Sequence, residues 1–213
     1  MMDFKQSRNK DLTMARLIET VGEIFIKDGV KGLGLNNIAR KAGYDKNLIN
    51  RYFGSRDGLL DAYIADRDYW IKYKNEIRQS INNVIDIKNY PLVVATILKN
   101  QFNYYYENKE AQLIILAEIC GEEEELLQSI ARVRELLGED IFEKIDPIFI
   151  KSGLNIRTVM ALLTAGIYYL ILHAINNGST FCGVDINTKE GRDSVEKGID
   201  WVVDLVFKAT GLF

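Results

Sequence analysis

Lys46, Asn47, Asn50 and Arg51 fall within six residues and share one side of any helix that contains them. These side-chain types suit nucleic acid. Asparagine can bond adenine through two hydrogen bonds, lysine or arginine can bond guanine O6 and N7, and either cation can neutralise phosphate. Ile49 and Phe53, four apart, point to the opposite side and give such a helix something to pack against. The remaining sequence offers little chemistry of its own. It has no phosphate-cradling Gly loop, no Gly-x-Ser-x-Gly elbow and no His-Cys cluster, and His173 is the only histidine. An enzyme is therefore poorly supported, and neither a metal nor a cofactor is expected.

The flanking residues are those needed to position this face. A short apolar helix, Leu35–Ala42, carries Ile38, Ala39 and Ala42 and stops at Gly43, which can take positive φ and reverse the chain. Asp45 can cap a second helix, Lys46–Tyr52, through its N2 or N3 amide. Phe53 follows as an aromatic anchor, then the turn Gly54-Ser55-Arg56-Asp57. This is the grammar of a helix-turn-helix, whose second helix can lie in a DNA major groove with its first residues at base edges. Upstream, Leu17, Ile18, Val21, Ile24 and Phe25 form the apolar stripe of a first helix over about 10–27, ended by Asp28-Gly29. Residues 1–9 read as a loose arm and Lys31–Gly34 as a loop. A polar helix face is often merely solvated; the Gly43 turn, the inward Ile49/Phe53 pair and the local charge favour DNA contact.

That charge is unevenly distributed. Residues 1–60 hold 11 Lys+Arg against 7 Asp+Glu, and residues 61–213 hold 16 against 23. A basic head on an acidic body fits phosphate binding at one end only. With 213 residues, 47% of them hydrophobic, the chain can build a sizeable core in one or two domains. Two prolines are few enough to point to helix throughout, an all-α fold. Cys120 and Cys182 form no CxxC and sit far in sequence from His173, which argues against a disulfide framework and a zinc site. No signal peptide is expected, because Met1–Lys10 is polar and charged. The longest apolar run, Val159–Ile175, falls slightly short of the roughly 20 residues that span a bilayer and is interrupted by Thr164 and Gly166. It reads as a buried helix rather than a membrane span, with the cytoplasm as the default compartment.

Downstream, periodicity and breakers predict a long helix over about 56–80, an ambiguous stretch Asn82–Tyr90, and helices over about 91–106 and 111–120. Four carboxylates, Glu122–Glu125, suit the positive end of the next helix, which runs to Leu137 before Gly138 punctuates it. A further segment, 141–150, carries Pro147 as a kink or break. Helices over about 156–176 and 191–209 close the chain, with no convincing strand.

Residues 15–60 resemble the N-terminal domain of the TetR family, the tetracycline-repressor-like regulators. The resemblance rests on Arg16-Leu17-Ile18 and Ile24-Phe25 in the opening helix and on Ile38-Ala39-Arg40-Lys41-Ala42-Gly43 in the second helix and turn. It continues through Leu48-Ile49-Asn50-Arg51-Tyr52-Phe53 in the recognition helix and Gly54-Ser55-Arg56-Asp57-Gly58-Leu59-Leu60 at the start of the fourth. There are departures. Leu33 and Gly34 stand where the family usually has a Thr/Ser-Thr pair, which weakens the cap. Asp45 stands where Ser is common, Asn47-Leu48 where Gly-Thr is frequent, and Asn50 where a tyrosine commonly touches the DNA backbone, leaving Arg51 or Tyr52 for that contact.

The resemblance implies a three-helix DNA-binding domain over 1–55 and a helical effector-binding and dimerisation domain over 56–213, about nine helices in all. It places Lys46, Asn47 and Leu48 at base edges, Asn50, Arg51, Tyr52 and Arg56 near phosphates, and Asn36 beside the groove. Leu48 would meet a thymine methyl. The implied partners are a double-stranded DNA operator, a small-molecule effector and a second copy of the chain, with no membrane. Trp70, Tyr73, Phe102, Tyr105, Tyr106, Tyr169 and His173 are the candidate effector residues, because aromatics with polar tips suit a mostly apolar pocket. For a four-helix dimer interface the candidates are Ala161, Ala165, Tyr169, Trp201, Val202 and Leu205, with Gly166 also permitting close approach. The function so implied is a ligand-responsive transcriptional repressor. The alternative is a helical interaction or carrier protein whose helix-turn-helix has degenerated.

Overall fold

In the computed structural model the backbone is described for residues 2–121 and 124–213, and side chains for 9–121 and 131–213. Eleven α-helices account for most of the described residues: α1 (Met2–Asp28), α2 (Leu35–Ala42), α3 (Lys46–Phe53), α4 (Arg56–Arg67), α5 (Tyr69–Lys72), α6 (Lys74–Asn82), α7 (Tyr90–Glu107), α8 (Lys109–Ile119), α9 (Glu124–Phe149), α10 (Ile156–Asn177) and α11 (Lys189–Lys208). Among the described residues the β content is one isolated bridge, Phe181 with Val184. The all-α expectation is met.

The chain divides into two compact units. One comprises residues 1–72 and 113–132, the other 73–112 and 133–213. The first unit therefore takes in α4 and α5 together with a later segment, and is larger than the stretch 1–55 outlined from sequence. Its core gathers Leu17, Val21 and Ile24 of α1, Ile38 of α2, Ile49 of α3, Leu59 and Leu60 of α4, and Ile114 and Ala117 of α8. Phe25 meets Tyr63 edge-on, with centroids 6.2 Å apart. In the second unit α7 packs against α6, α10 and α11, and Lys99 Nζ reaches Asp200 at 2.7 Å while Asn103 Nδ2 donates to Glu196 at 2.7 Å.

Several sequence-based boundaries move. The expected loose arm is helical from Met2. The expected long helix over 56–80 is three helices, because Asp68 leaves helical geometry (ψ 127°) and its carboxylate accepts the Ile71 N–H at 3.1 Å. A short acidic side chain thereby offers the backbone an alternative to the helical ladder. A second break follows at Tyr73. Conversely, α9 runs through both Gly138 and Pro147. Pro147 lies in its last turn, and the helix ends two residues beyond it. Pro91 lies in the first turn of α7, where a missing N–H is tolerated. Of the four carboxylates Glu122–Glu125, the first two and the side chains of all four lie outside the described residues.

α10 departs most from expectation. Its most apolar window is only 22% buried, and its length and composition would allow it to cross a membrane. Ala161, Leu162, Ala165, Gly166 and Tyr169 are exposed, so this is not the buried helix its hydropathy suggested.

Candidate nucleic-acid interface

The turn between α2 and α3 is a Schellman motif. Gly43 sits at φ 76°, ψ 24°, the left-handed conformation that a side chain would disfavour. The Tyr44 N–H donates to the Ala39 carbonyl at 3.1 Å and the Gly43 N–H to that of Arg40 at 3.3 Å, closing the end of α2. Two residues later the Asp45 carboxylate accepts the Asn47 N–H at 2.7 Å and opens α3. Ser55 opens α4 in the same manner, its hydroxyl accepting the Gly58 N–H at 3.0 Å. Gly58 is needed for another reason: a Cβ there would lie 2.1 Å from the Phe53 carbonyl oxygen.

The two faces of α3 separate as its residue types suggest. Ile49 is fully buried, and Leu48, Tyr52 and Phe53 are half-buried. Lys46, Asn47, Asn50 and Arg51 are exposed, as is Asn36 on α2. The start of α2 lacks a side-chain cap at Gly34. Two other side chains brace that approach. Asn37 Nδ2 donates to the Gly32 carbonyl at 2.8 Å, and Arg56 Nε donates to the Leu33 carbonyl at 2.7 Å. Arg56 is thus tied into the unit as well as lying beside α3. The Arg56–Leu33 tie joins residues 23 apart, and the types at those positions carry no signal that would have revealed it.

Lys10 was not singled out from sequence. Its Nζ lies 5.8 Å from the Tyr52 ring centroid, bringing a cation from α1 beside α3. Arg16 and Lys41 flank Glu23 at 2.7 and 3.6 Å, linking α1 with α2. The hydrogen bond from Arg16 holds the Glu23 carboxyl below its ordinary range, outweighing the opposing effect of burial, and Lys41 adds to the lowering.

Residues 17–63 match the profile of the bacterial regulatory proteins, tetR family, over the helices just described. Residues 17–63 thus carry a helix-turn-helix of the tetR-family type. The chain is 31% identical over 62 residues to an uncharacterised HTH-type transcriptional regulator of Mycobacterium tuberculosis, a match covering 29% of this chain and 31% of that one. It is 30% identical over 63 residues to the HTH-type transcriptional regulator BetI of Paraburkholderia phytofirmans, covering 29% and 32%. These matches span about a third of each relative's length. The fold likeness reaches further. A TetR family transcription regulator from Marinobacter aquaeolei superposes with TM-score 0.65 at 14% identity, covering 92% of this chain and 97% of that one. The fatty acid degradation regulator FadR from Bacillus halodurans gives 0.62 at 14%, covering 90% and 94%.

The candidate effector residues fall in both units. Trp70 belongs to the first unit and meets Tyr69 edge-on. Six lie in the second. Phe102 and Tyr105 are fully buried, and Tyr105 meets the Tyr168 ring at 5.1 Å. Tyr73 meets Tyr104 at 5.6 Å. Tyr106 bonds through its hydroxyl to Arg192 at 3.0 Å, under the guanidinium. Tyr169 and His173 stack on each other near the surface with Phe181, and the His173 ring nitrogens meet Ser179 and Asn177. A cleft of about 430 Å³ in this unit is lined by Lys88, Pro91, Leu92, Ala95, Asp200, Asp204 and Phe213, none of them a candidate.

The dimer candidates fall on two helix faces. Ala161, Ala165 and Tyr169 of α10 are exposed at helical spacing, and so are Trp201 and Leu205 of α11; Val202 is half-buried. Leu162 joins the α10 face at 70% exposure and Trp201 is 67% exposed, more than large apolar side chains ordinarily tolerate in contiguous patches.

Proposed function

We propose that this protein is a DNA-binding transcriptional regulator that grips its operator as a homodimer and changes its affinity when a small molecule binds the helical unit. The observation that carries this reading is α3: capped by Asp45, anchored by fully buried Ile49, and presenting Lys46, Asn47, Asn50 and Arg51 to solvent together. A helix so held can enter the major groove with Lys46 and Asn47 at base edges and half-buried Leu48 near a thymine methyl. Asn50, Arg51, Tyr52 and Arg56 serve the phosphates, and Asn36 flanks the groove.

The exposed apolar faces of α10 and α11 supply the second copy. Pairing them across a two-fold axis gives a four-helix interface, with Ala161, Ala165 and Gly166 allowing close approach and Trp201 and Leu205 filling it. The same pairing accounts for an apolar α10 without a membrane, in a protein that works in the cytoplasm with its DNA. A dimer sets two recognition helices about 34 Å apart, one turn of the duplex. An effector that binds the non-DNA form better shifts the population away from that spacing, which is repression relieved by ligand.

The test is selection of genomic fragments by the purified protein. Enrichment of one sequence with two-fold symmetry is the expected outcome. Recovery of fragments sharing no sequence would contradict the reading and favour a carrier or interaction protein whose head no longer reads DNA.

A further inference from the structure

We propose that Gln101 is the polar anchor of a small-molecule site within the second unit, and that the site takes a neutral, mostly apolar molecule bearing a carboxamide or an un-ionised carboxylic acid. This deepens, and rests on, the reading of that unit as the effector-binding part.

Gln101 lies on α7 and is fully buried, yet among the described residues neither its Oε1 nor its Nε2 meets a hydrogen-bond partner. Buried amides are almost always satisfied, because leaving one unpaired forfeits the hydrogen bonds it had with water. Gln112 makes the contrast. It is the other buried polar side chain described in this unit, and its Nε2 donates to the Tyr105 and Tyr106 carbonyls at 2.7 and 3.0 Å, closing the end of α7. Gln112 has a structural task that its bonds explain. Gln101 has none, and a hydrophobic residue of its size would fit an apolar interior better.

The surroundings define the chemistry of what would satisfy it. One helical turn away on either side lie buried Ile97, Leu98 and Tyr105. Tyr105 meets the edges of Tyr168 and Tyr104, at 5.1 and 5.7 Å, so Gln101 borders a run of aromatic rings. Apolar and aromatic neighbours around one directing group are the composition of small-molecule sites. A carboxamide presents an acceptor and a donor side by side. Its best complement presents the same pair reversed, as another carboxamide or a protonated carboxylic acid does; a ketone or ether satisfies one half only. No lysine, arginine or histidine is among the buried residues described, so an ionised carboxylate would enter without a counter-charge.

The experiment uses the full-length protein and three probes sharing one body: 4-phenylbutanamide, 4-phenylbutanoic acid and butylbenzene. Calorimetry measures their binding to wild type and to Gln101→Met, which keeps the shape and removes the amide. The amide is expected to bind wild type and to weaken about tenfold or more in the variant, with butylbenzene unaffected. The acid is expected to bind at about pH 5 and to lose most of its affinity by about pH 8, where it is ionised. The melting temperature of the ligand-free variant should hold or rise, since no protein partner is lost. Equal affinity for the amide in both proteins, or no binding of amide and acid to wild type, overturns the proposal. So does a clear fall in the variant's melting temperature, which would show Gln101 satisfied within the fold, for instance by an internal water. Operator affinity is measured separately with and without the amide. Gln101-dependent binding that leaves operator affinity unchanged sinks the effector reading and spares the anchor; Gln101-independent binding does the reverse.

Discussion

The Asp45 carboxylate accepts the backbone N–H of Asn47 at 2.7 Å, so the residue that opens α3 also fixes the backbone of the residue proposed for the base edge. The cap places a negative charge at the end of α3 that would approach DNA. Stability and affinity therefore pull in opposite directions at this position. Asp45→Ala should destabilise the protein by about 0.5–2 kcal/mol, the usual cost of a lost cap. Asp45→Ser should keep most of that stability and tighten DNA binding, because the hydroxyl caps without repelling phosphate. Thermal denaturation and DNA titrations of the two variants check both halves; weaker binding by the serine variant would refute the electrostatic part.

Arg51 and Arg56 are both placed near phosphates but should behave differently. Arg51 is exposed, whereas Arg56 is half-buried and donates to the Leu33 carbonyl at 2.7 Å. Arg51→Ala should weaken binding to all sequences alike and leave the melting temperature unchanged. Arg56→Ala should lose affinity and also about 0.5–1.5 kcal/mol of stability, the net worth of a hydrogen bond. Equal melting temperatures for the two variants would show the Leu33 tie to be incidental.

The helix-turn-helix was the most legible part of the molecule, for physical reasons. Its signals are local: a glycine that must turn left-handed, an Asp two residues later, and an inward pair four apart. The observed bounds of α2 coincide with the predicted ones, and α3 extends one residue further, to Phe53. The break at Asp68 was not legible, because an acidic residue in a helix is usually solvated and here it is buried. The exposure of α10 was hidden as well, since hydropathy reports that a surface must be covered and not by what. The effector candidates could not be sorted from core residues for a similar reason. Aromatic residues fill cores and pockets alike, and Phe102 and Tyr106, stacked with centroids 6.4 Å apart, could be either from sequence. Gln101 was overlooked because glutamine at a helical position is ordinarily exposed; only its burial makes it notable.

Gly58 and Gly138 make a matched pair of tests. A Cβ at Gly58 would collide with the Phe53 carbonyl oxygen, while one at Gly138 would meet the Phe142 ring at 3.7 Å, an ordinary contact. Gly58→Ala should destabilise by about 1–3 kcal/mol through overpacking. Gly138→Ala should stabilise by roughly 0.5–1 kcal/mol, as alanine does within a helix. Denaturant titrations would read both signs, and stabilisation by the first substitution would contradict the close approach.

Arg157 ties α10 to α9, its Nη2 bonding Glu139 at 3.0 Å and its Nε bonding Asp146 at 2.8 Å. The hydrogen bond from Arg157 holds the Glu139 carboxyl below its ordinary range. A carboxyl lowered in the folded state contributes stability above its unfolded value, roughly pH 4.3 for glutamate. That contribution is lost as the pH falls through the folded value. Arg157→Met should therefore flatten the fall of melting temperature below that pH relative to wild type. Parallel profiles for the two proteins would remove Glu139 from the acid response.

The dimer faces are tested by charge. Trp201→Glu and Leu162→Glu alter residues already exposed in the single chain, so the helical content should persist while sedimentation shows a monomer. A wild-type protein that sediments as a monomer would discard the interface altogether.

The most direct test of DNA reading is operator affinity measured across salt concentrations for wild type, Arg51→Ala and Asn47→Ala, on the sequence that genomic selection yields. Wild-type affinity should fall steeply and log-linearly with salt, and Arg51→Ala should reduce that slope by about 0.9 for its one phosphate. Asn47→Ala should keep the slope and lose about 1–3 kcal/mol of discrimination against a substituted base pair. Affinity indifferent to salt, or an Asn47→Ala protein with unchanged sequence preference, would contradict the assignment of α3 as the helix that reads DNA.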